Sequence, residues 1–336
     1  MNNVLITGGL GYIGSHAVSI LAKNNIKFLI LDNLSNCKIG VIERLEKIIK
    51  EKIDFIEGDI RDTNKLITIF QKYDISSVLH FAALKSVEDS LFEPTKYYET
   101  NISGTISLLN AMKKTNVRNL VFSSSATVYG QPKYLPIDEI HRTEAINPYG
   151  LTKFIVEEIL SDLVKYDNTW SINSLRYFNP VGAHPSHLIG DDPISIKSKN
   201  LMPNIIDVVN GITKEIKIFG NDYDTRDGTC IRDYIHIMDL ANAHYKSLQF
   251  LEKSKGFYIF NIGTGIGYSV LELINTFEDT TGIEVPKCFV NRRDGDVQSC
   301  YADPTKAREK LGWHSELDLR QMCLSSFEFS RLNLET

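Results

Sequence analysis

Two periods alternate in the pattern of apolar and polar positions over the first half of the chain. Short runs rich in valine, isoleucine and leucine predict strands, while apolar residues spaced three and four positions apart predict helices. We expect strands at residues 4–7, 28–31, 54–57, 77–81, 119–123 and 172–177, and helices near 14–24, 40–50, 63–72, 94–115 and 148–165. This alternation predicts the α/β class, with a doubly wound, Rossmann-type parallel sheet covered by helices on both faces.

The pattern changes after residue 178, where longer loops containing glycine, proline and aspartate replace the regular alternation. We therefore divide the chain into a Rossmann domain over residues 1–178 and a smaller mixed α/β lobe over residues 179–336. A helical pattern near 234–250 and a strand pattern near 257–263 predict that part of the second half returns to the sheet. Since no flexible linker separates the halves, we expect the lobe to pack directly on the first domain.

A glycine-rich loop at residues 7–14 follows the first predicted strand and opens a helix, with Gly8, Gly11 and Gly14 among its residues. Glycines let the backbone turn tightly and approach a pyrophosphate, whose charge the N-terminus of the helix stabilises. Asp32 ends the second predicted strand, where a carboxylate can accept hydrogen bonds from an adenosine ribose and repel a 2′-phosphate. A glycine pattern alone often marks only a turn, but this strand–turn–helix context predicts a site for NAD rather than NADP.

A tyrosine and a lysine share one face of the predicted helix that begins near residue 148. The stretch 147–153 supplies a capping asparagine, a proline suited to the first helical position, and Tyr149 four residues before Lys153. A phenol with a pKa of about 10 is a poor base at pH 7, but a neighbouring ammonium and the positive end of a helix both lower that pKa. We therefore expect Tyr149 to be a base beside the bound nucleotide. A second match, Tyr129 with Lys133, contains a glycine and a proline and cannot share a helix face.

Composition and charge narrow the possible functions. With 43% hydrophobic and 24% charged residues the chain is typical of soluble globular proteins, and a net charge of −5 without a long basic run argues against nucleic-acid binding. No apolar run approaches the ~18 residues of a membrane span, so we expect no membrane partner. Five widely spaced cysteines without a Cys-x-x-Cys pair predict reduced thiols and a cytoplasmic location, and eight histidines without ligand spacing predict no metal site.

Seven further blocks of sequence carry a resemblance to a known family. They are Phe-Ala-Ala-Leu-Lys at 81–85, Ser-Ser-Ser-Ala-Thr-Val-Tyr-Gly at 123–130, Arg-Tyr-Phe-Asn-Pro-Val-Gly-Ala-His-Pro at 176–185, Asn-Leu-Met-Pro at 200–203, Ile-Phe-Gly-Asn-Asp-Tyr at 218–223, Arg-Asp-Tyr-Ile-His at 232–236 and Arg-Arg-Asp-Gly-Asp at 292–296. With the glycine loop and the Tyr149/Lys153 pair, they make the chain resemble the extended short-chain dehydrogenase/reductase family over nearly its whole length. Within that family the chain is similar to the enzymes that epimerise UDP-hexoses at C4.

The resemblance implies two sets of ligand-binding residues, carried over position by position. The positions that match those holding NAD are Gly8, Gly11, Tyr12, Ile13, Gly14, Asp32, Asn33, Asn36, Cys37, Asp59, Ile60, Phe81, Ala82, Lys85, Asn101, Ser123, Tyr149, Lys153, Tyr177 and Phe178. The positions that match the UDP-sugar contacts are Lys85, Ser125, Tyr149, Asn179, Asn200, Leu201, Lys217, Phe219, Arg232, Arg293, Asp296 and Cys300. The second set is chemically suitable, because guanidinium groups pair with diphosphate oxygens and a carboxylate can hold ribose hydroxyls.

The implied reaction is the NAD-dependent interconversion of UDP-glucose and UDP-galactose through a 4-keto sugar, which serves galactose metabolism and the supply of sugar nucleotides. Its catalytic residues would be Tyr149, Lys153 and Ser125. Tyr149 would take the 4-hydroxyl proton while the hydride passes to NAD, Ser125 would bridge the hydroxyl and the phenol, and Lys153 would hold the nicotinamide ribose. The resemblance also implies a homodimer, paired through the helices near 94–115 and 148–165.

Two positions depart from the family pattern. Lys199 precedes Asn200 where a second asparagine is common, which implies rearranged contacts to the diphosphate or the sugar. Cys300 stands where bacterial members commonly carry a tyrosine, and members with a small residue there tend to accept UDP-N-acetylhexosamines. We therefore expect activity on UDP-GlcNAc and UDP-GalNAc as well.

Two alternative functions use the same fold. A nucleotide-sugar 4,6-dehydratase or decarboxylase shares the scaffold, and a dehydratase would carry an acid/base pair directly after the position of Ser125. Ala126 and Thr127 stand there instead, and neither can exchange a proton at neutral pH. The second alternative is a non-catalytic NAD-binding protein with a vestigial site, against which the intact Tyr149, Lys153 and Ser125 argue.

Overall fold

A computed structural model describes residues 3–191, 200–293 and 295–334 of the protein. Its strands are β1 (Asn3–Thr7), β2 (Phe28–Asp32), β3 (Phe55–Glu57), β4 (Ile75–His80), β5 (Asn119–Ser125), β6 (Ser171–Tyr177), β7 (Asn179–Val181), β8 (Ile216–Phe219), β9 (Ile231–His236), β10 (Gly256–Ile262), β11 (Gly267–Ser269), β12 (Lys287–Val290) and β13 (Ser299–Cys300). Its α-helices are α1 (Tyr12–Lys23), α2 (Val41–Ile49), α3 (Thr63–Lys72), α4 (Val87–Phe92), α5 (Pro94–Tyr97), α6 (Gly104–Lys114), α7 (Pro148–Tyr166), α8 (Leu201–Val209), α9 (Ile237–Leu251), α10 (Val270–Thr281), α11 (Thr305–Leu311) and α12 (Leu319–Leu334). A π-helical turn (Tyr98–Ser103) joins α5 to α6, and a 3-10 turn (Ala126–Tyr129) follows β5.

Seven parallel strands form the central sheet, in the order β10-β6-β5-β4-β1-β2-β3. The chain adds β2 and β3 on one side of β1 and then β4 to β6 on the other, so the strand order reverses between β1 and β4. Every residue of β6 is buried, as expected for a strand covered on both faces. The predicted α/β class with a doubly wound parallel sheet is confirmed.

Successive residues of the strands supply two apolar layers, because neighbouring side chains of a strand point to opposite faces. Val4 and Ile6 of β1 belong to a layer shared with α1 and α9. Leu5 of β1 and Leu29 of β2 belong to a layer shared with α3, α6 and α7. Each such side chain contributes about 1.5–3 kcal/mol when fully buried, so the sheet holds the helices on both faces.

The predicted elements of the first half have counterparts in the structure, with three differences. The strand predicted at 77–81 begins at Ile75 and ends at His80, so Phe81 lies beyond it. The helix predicted at 94–115 is divided into α5, the π-helical turn and α6, and within that turn Asn101 hydrogen-bonds to the backbone of Leu84. The pattern does not predict α4, whose six residues are too few to show a helical period.

The second half supplies both a lobe and the last strand of the sheet. Helix α9 leads to β10, which pairs in parallel with β6. In the lobe β9 pairs with β7, β11 and β13, β8 pairs with β12, and helices α8, α10 and α12 enclose a separate apolar core. Because β9 runs directly into α9 and α9 packs on α1, one continuous strand–helix unit connects the lobe to the sheet.

Three features of the structure concern its cysteines, its possible metal ligands and the apolar character of its helices. The five cysteines lie in the described ranges and have free thiols. Among the described residues, no group of three or more His, Cys, Asp or Glu side chains could hold a metal ion. None of the helices in these ranges combines the length and apolar character that a membrane crossing requires.

Candidate active site

The residues expected to hold the dinucleotide gather at one edge of the central sheet, where parallel strands end. Gly8, Gly11, Tyr12, Ile13 and Gly14 follow β1; Asp32, Asn33, Asn36 and Cys37 end or follow β2; Asp59 and Ile60 follow β3; Phe81, Ala82 and Lys85 follow β4; Ser123 lies near the end of β5; Tyr177 and Phe178 end or follow β6. Open parallel sheets bind their ligands in the crevice at this edge, next to the reversal in strand order.

The glycine loop packs against backbone atoms so closely that residues with a side chain would not fit at Gly8 or Gly14. Gly8 has φ +71°, and a Cβ added there would lie 2.6 Å from the backbone nitrogen of Ala82. A Cβ added at Gly14 would lie 2.3 Å from the carbonyl oxygen of Gly8. Gly11 is the N-cap of α1 and offers no side chain to its first turn, so the amide groups of that turn suit a pyrophosphate. The loop fits the dinucleotide that the sequence predicts.

The carboxylate of Asp32 is buried and held by three donors. Its Oδ2 accepts from the backbone nitrogen of Leu10 at 3.1 Å, and its Oδ1 accepts from the backbone nitrogen of Leu34 at 3.0 Å and from Cys37 Sγ at 3.3 Å. Burial and the neighbouring Asp32 charge both raise the pKa of the Cys37 thiol, so the thiol stays protonated and donates. A carboxylate has about four acceptor sites, which leaves Asp32 capacity for a ribose hydroxyl.

Asp59 is bound to a residue that the sequence did not single out. Arg61 donates from Nε and NH2 to the two oxygens of Asp59, each at 2.9 Å, and Asn33 Nδ2 donates to Asp59 Oδ2 at 2.9 Å. The hydrogen bonds from Arg61 lower the pKa of Asp59 to about 2. Asp59 is therefore a fixed carboxylate beside Asn33, while the neighbouring Ile60 is buried.

Phe81 and Tyr177 both contact the buried His244. His244 Nδ1 lies 2.9 Å from the carbonyl oxygen of Leu240 and donates to it, so Nε2 accepts the hydrogen bond from the Tyr177 hydroxyl. Burial lowers the pKa of His244 to about 4, which keeps the ring neutral for this role. The Phe81 ring lies 4.7 Å from the histidine ring between centroids.

Asn101 connects the loop after β4 with the first turns of α7. Its Oδ1 accepts from the backbone nitrogen of Leu84 at 2.8 Å, while its Nδ2 donates to the carbonyl oxygen of Leu84 at 3.0 Å and to Thr152 Oγ1 at 3.0 Å. Thr152 Oγ1 in turn donates to the carbonyl oxygen of Tyr149 at 2.7 Å. Both amide hydrogens of Asn101 are thus engaged within the protein, and its side chain links Leu84 to the helix that carries Tyr149.

Helix α7 begins as the sequence predicts. Asn147 Oδ1 accepts from the backbone nitrogen of Gly150 at 2.8 Å, and Pro148 occupies the first helical position. Lys153, four residues after Tyr149, donates from Nζ to the carbonyl oxygen of Ser123 at 2.7 Å, and its Nζ lies 5.9 Å from the centroid of the Tyr149 ring. The helix therefore brings the phenol and the ammonium to the end of β5.

The surrounding protein raises the pKa of Tyr149, opposite to the direction expected from Lys153 and the helix N-terminus alone. Burial raises the pKa of the Tyr149 phenol to about 12, and a hydrogen bond with Ser125 acts in the opposite direction without offsetting it. Burial also lowers the pKa of Lys153 to about 7, against the attraction of the Glu157 carboxylate. Burial disfavours both the Tyr149 phenolate and the Lys153 ammonium. Lys153 therefore does not bring the pKa of Tyr149 below its usual value.

Ser125 ends β5 and caps the 3-10 turn that follows. Its Oγ accepts from the backbone nitrogen of Thr127 at 3.3 Å and from Thr127 Oγ1 at 3.0 Å. Thr127 stands at the position where a dehydratase would carry an acid, and its hydroxyl bonds to Ser125 instead. Ser125, Tyr149 and Lys153 therefore form one contiguous group.

A cavity of about 1230 Å³ joins the glycine loop to the lobe. The expected ligand-binding residues that line it are Gly11, Tyr12, Asn36, Cys37, Lys85, Asn179, Asn200, Leu201, Lys217, Phe219, Arg232, Arg293 and Asp296. Ser125, Tyr149 and Lys153 are not among its lining residues, whereas Leu84, which Asn101 connects to the helix of Tyr149, is. Two contacts join residues of the cavity lining from the two halves of the chain: Tyr12 Oη donates to the carbonyl oxygen of Gly182 at 2.6 Å, and Lys85 Nζ lies 3.9 Å from Asp191 Oδ1.

Two arginines, an aromatic ring and a carboxylate form the far wall of the cavity. Arg232 NH2 donates to Asp296 Oδ1 at 3.2 Å. The Arg293 guanidinium lies 4.2 Å from the centroid of the Phe219 ring, in a cation–π arrangement. Guanidinium groups held in this way can pair with two oxygens of a diphosphate at once.

Cys300 lies on β13 directly beside Arg232 of β9. It packs against a small apolar cluster that includes Val128 and Phe178, and burial raises the pKa of its thiol to about 11. Cys300 is an expected substrate contact, but it is not among the residues that line the cavity. Lys199, for which the sequence predicts rearranged contacts, lies outside the described residues.

Comparisons with known proteins agree with this geometry. The profile of the family described as GDP-mannose 4,6 dehydratase matches residues 5–325. A UDP-glucose 4-epimerase from Bacillus subtilis (strain 168) is 46% identical over 331 residues, which cover 98% of this chain and 97% of that protein. The chain belongs to the UDP-glucose 4-epimerase family.

Solved structures of epimerases have the same fold. The UDP-glucose 4-epimerase from Stenotrophomonas maltophila, with bound NAD and formylated UDP-arabinopyranose, has a TM-score of 0.98 and 47% identity, covering 100% of this chain and 99% of that one. The UDP-glucose 4-epimerase from Bifidobacterium longum, in complex with NAD+ and UDP, has a TM-score of 0.95 and 43% identity, covering 99% of each chain. The expected resemblance to epimerases of the extended short-chain dehydrogenase/reductase family is confirmed.

Within this epimerase fold, Glu157 and Arg176 form a buried ion pair next to Lys153. Glu157 lies one turn after Lys153 on α7. Its Oε2 accepts a hydrogen bond from Arg176 NH2 at 2.6 Å, and its Oε1 accepts one from Ser174 Oγ at 2.7 Å. The Arg176 guanidinium also covers the Tyr129 ring at 4.7 Å. The sequence analysis does not predict this ion pair. The spacing of four residues does indicate that Glu157 shares a helix face with Lys153.

Proposed function

We propose that this member of the epimerase family interconverts UDP-glucose and UDP-galactose with NAD as its cofactor. The observation that carries the proposal is a continuous cavity that joins the glycine loop to the wall formed by Phe219, Arg232 and Arg293. A dinucleotide on the loop and a nucleoside diphosphate on the arginines would bring their reacting ends towards the end of β5, beside this cavity rather than within its lining. Tyr149, Ser125 and Lys153 lie there.

The residues proposed to hold NAD divide along its length. The backbone of the glycine loop would face the pyrophosphate, Asp32 with Asn33, Asn36 and Cys37 would surround the adenosine ribose, and Lys153 would reach the nicotinamide ribose. When bound, NAD supplies a hydride acceptor for C4 of the sugar and returns the hydride to the opposite face. Asn101 would support the cofactor site by fixing Leu84 and the start of α7.

Proton transfer at the sugar 4-hydroxyl would belong to Tyr149, with Ser125 bridging the hydroxyl and the phenol. The raised pKa of the phenol, about 12, means that Tyr149 acts as a base only when positive charge is present nearby. Lys153, with a pKa of about 7, can carry that charge near neutral pH. Efficient general bases have pKa values near the working pH, so the ligands and the ammonium must together lower the phenol pKa.

The proposed UDP contacts follow from the chemistry of the far wall. Arg232 and Arg293 would pair with diphosphate oxygens, Phe219 would face uracil, and Asp296 would accept from the uridine ribose. Asn179, Asn200, Leu201 and Lys217 complete the proposed set and line the same cavity. With the uridine diphosphate anchored, the sugar could turn while both ends of the cavity stay fixed.

The proposed sugar range includes the N-acetylated pair. Cys300 lies beside Arg232 and against Phe178, so its small side chain would leave volume for a 2-acetamido group. A tyrosine there would fill that volume. We therefore include UDP-GlcNAc and UDP-GalNAc among the substrates.

The proposed organisation of the chain matches these two ligands. Residues 1–178 would form the NAD-binding domain and residues 179–336 the UDP-sugar-binding lobe, with the segments near 234–263 returning to the sheet. We further propose a homodimer through α6 and α7, whose Ile106 and Tyr166 are 40% and 79% exposed, and a cytoplasmic location, which the five free thiols support.

The test is turnover without added cofactor. Purified protein incubated with UDP-galactose, with no NAD supplied, should form UDP-glucose, and Tyr149→Phe prepared in parallel should not. A 4-keto-6-deoxy product would support the dehydratase alternative. Full NAD occupancy with no change in the sugar would support the non-catalytic alternative.

A further inference from the structure

A buried histidine connects the strand that leads into the glycine loop with helix α6. His80 ends β4, and its Nδ1 lies 2.7 Å from Thr7 Oγ1 at the end of β1. Its Nε2 lies 2.9 Å from Thr105 Oγ1 on α6. All three residues are buried, so both ring nitrogens of His80 are engaged within the protein, although the sequence assigns this residue no role.

The geometry fixes which group donates in each of these hydrogen bonds. Thr105 Oγ1 gives its one hydrogen to the carbonyl oxygen of Asn101 at 2.6 Å, so towards His80 it can only accept, and His80 Nε2 carries a hydrogen. Burial lowers the pKa of His80 to about 3, which keeps the ring neutral near pH 7 and leaves Nδ1 to accept from the Thr7 hydroxyl. The hydrogen bonds therefore run in one direction, from Thr7 through His80 and Thr105 to Asn101.

From Asn101 the same series of hydrogen bonds reaches the helix that carries Tyr149. The Asn101 side chain donates to Thr152 Oγ1 at 3.0 Å, and Thr152 Oγ1 donates to the carbonyl oxygen of Tyr149 at 2.7 Å. Asn101 lies in the π-helical turn, a distortion that is frequent at functional sites. Five consecutive hydrogen bonds thus join the last residue of β1 to the backbone of Tyr149.

We infer that His80 is a positioning residue for Tyr149, because it ties the π-helical turn that fixes the start of α7 to the end of the strand that carries the glycine loop. This inference rests on the proposed function, in which NAD on the glycine loop and the phenol of Tyr149 act at the same carbon of the sugar. A misplacement of about 1 Å between reacting groups can cost about a hundredfold in rate. His80 links the two sides by donating to one and accepting from the other.

The His80 ring also packs against Phe122, whose ring contacts the catalytic lysine. The centroids of the His80 and Phe122 rings are 5.9 Å apart, and Lys153 Nζ lies 5.0 Å from the Phe122 centroid. A replacement of His80 therefore changes packing as well as hydrogen bonds. Two replacements that each keep a different one of the two hydrogen bonds separate these effects.

The first test compares glutamine and asparagine at position 80. The amide nitrogen of glutamine reaches the place of Nε2 and can donate to Thr105, whereas the shorter asparagine reaches only the place of Nδ1 and can serve only Thr7. His80→Asn should lower kcat about tenfold, the rate equivalent of one hydrogen bond, and change the KM for UDP-galactose less than about twofold. His80→Gln should keep most of the wild-type kcat. Equal losses in the two variants, or a normal kcat in His80→Asn, would overturn the inference.

His141→Phe is the matched control. His141 is also a buried histidine with both ring nitrogens engaged, since Nε2 accepts from the backbone nitrogen of Lys133 at 2.9 Å and Nδ1 donates to the carbonyl oxygen of Arg142 at 2.7 Å. Losing these bonds should lower the melting temperature and leave kcat unchanged, because they do not lead to Tyr149. A loss of kcat as large as that of His80→Asn would make the effect one of general stability and would count against the role of His80.

The second test is a double-mutant cycle between His80→Asn and Thr152→Val, which keeps the shape of the threonine and removes its hydroxyl. If His80 acts through Thr152, adding His80→Asn to Thr152→Val should cost little further in kcat. Losses that add in full would contradict a connection through Thr152 and reject the inference.

A third measurement does not depend on turnover. Amide hydrogen exchange in the first turns of α7 reports how firmly the backbone around Tyr149 is held. Exchange there should be faster in His80→Asn than in wild type and unchanged in His80→Gln, and equal rates in all three would refute the positioning role. If exchange follows this pattern while wild type fails to convert UDP-galactose, the proposed function is rejected and the positioning role of His80 stands.

Discussion

Lys153 Nζ donates a 2.7 Å hydrogen bond to the carbonyl oxygen of Ser123, a neutral partner, although the lysine side chain is almost fully buried. Burial lowers the pKa of this ammonium to about 7, below the value of about 10.4 for a solvated lysine. Between these two values the unfolded chain holds a proton that the folded chain does not. Lys153 therefore reduces the stability of the fold increasingly as pH falls from about 10 to about 7.

Replacing Lys153 should lower the activity and raise the stability of the fold, the latter by an amount that depends on pH. Lys153→Met should abolish most turnover, and its melting temperature relative to wild type should rise as pH is lowered from about 10 to about 7. Thermal unfolding at several pH values measures this difference. Lys165→Met, at an exposed position of the same helix, is the control and should show no such trend. A parallel trend in the two variants would contradict the role of burial.

Removing the phenol of Tyr149 should separate catalysis from binding. Tyr149→Phe keeps the ring and should lower kcat by about 10²–10⁴, the usual contribution of one general base, with UDP affinity within a few-fold of wild type. Ser125→Ala should be milder, because water can replace a hydroxyl relay. Steady-state kinetics and UDP titration check both. Tyr134→Phe, at an exposed tyrosine, should behave as wild type, and a Tyr149→Phe enzyme with near-normal kcat would remove the tyrosine from the mechanism.

The side chain at position 300 should set the sugar range. Cys300→Tyr should suppress epimerisation of UDP-GlcNAc and UDP-GalNAc by steric clash and spare the plain hexose pair, a repulsive form of specificity. Cys300→Ser, which keeps the volume small, should retain both activities. The measurement is kcat/KM on both substrate pairs in the three enzymes. If wild type fails on UDP-GlcNAc, Cys300 is not the determinant.

Cofactor retention should depend on the bare backbone of the glycine loop. Purified wild type should release NAD when denatured, whereas Gly8→Ala should carry little, because its Cβ would lie 2.6 Å from the Ala82 nitrogen at a φ of +71°. Gly40→Ala is the matched control, since a Cβ there meets nothing within 4 Å. Ultraviolet absorbance of the deproteinised supernatants checks all three. Equal release from Gly8→Ala and wild type would argue against the proposed position of the pyrophosphate.

The assembly should be a dimer that depends on α6. Light scattering at micromolar concentration should give twice the chain mass of 38.1 kDa, and Ile106→Glu, which places a charge on the exposed face of α6, should shift it towards the monomer. Ile212→Glu, at another exposed isoleucine, should leave the mass unchanged. A wild-type mass of about 38.1 kDa would refute the dimer.

Local signals in the sequence predicted much of the fold. The alternation of apolar runs predicts the sheet, and the Asn147 cap forms as expected because both depend on residues close in the chain. The π-helical turn around Asn101 could not be predicted from the sequence, because the residues to which Asn101 hydrogen-bonds, Leu84 and Thr152, come close to it only in the folded chain. The direction of the Tyr149 pKa was missed for the same reason: the spacing to Lys153 is visible in the sequence, but the enclosure that outweighs it is not.

The continuous unit of β9 and α9 has a consequence for how the two ligands can move. Arg232 lies on β9, and the helix that follows packs on α1, which the glycine loop opens. A hinge between the lobe and the sheet would have to break that packing before the separation of the two anchoring points could change. On this packing we expect the distance between the two anchoring points to stay constant during turnover. The rotation that presents both faces of the sugar would then take place in the bonds of the diphosphate linkage.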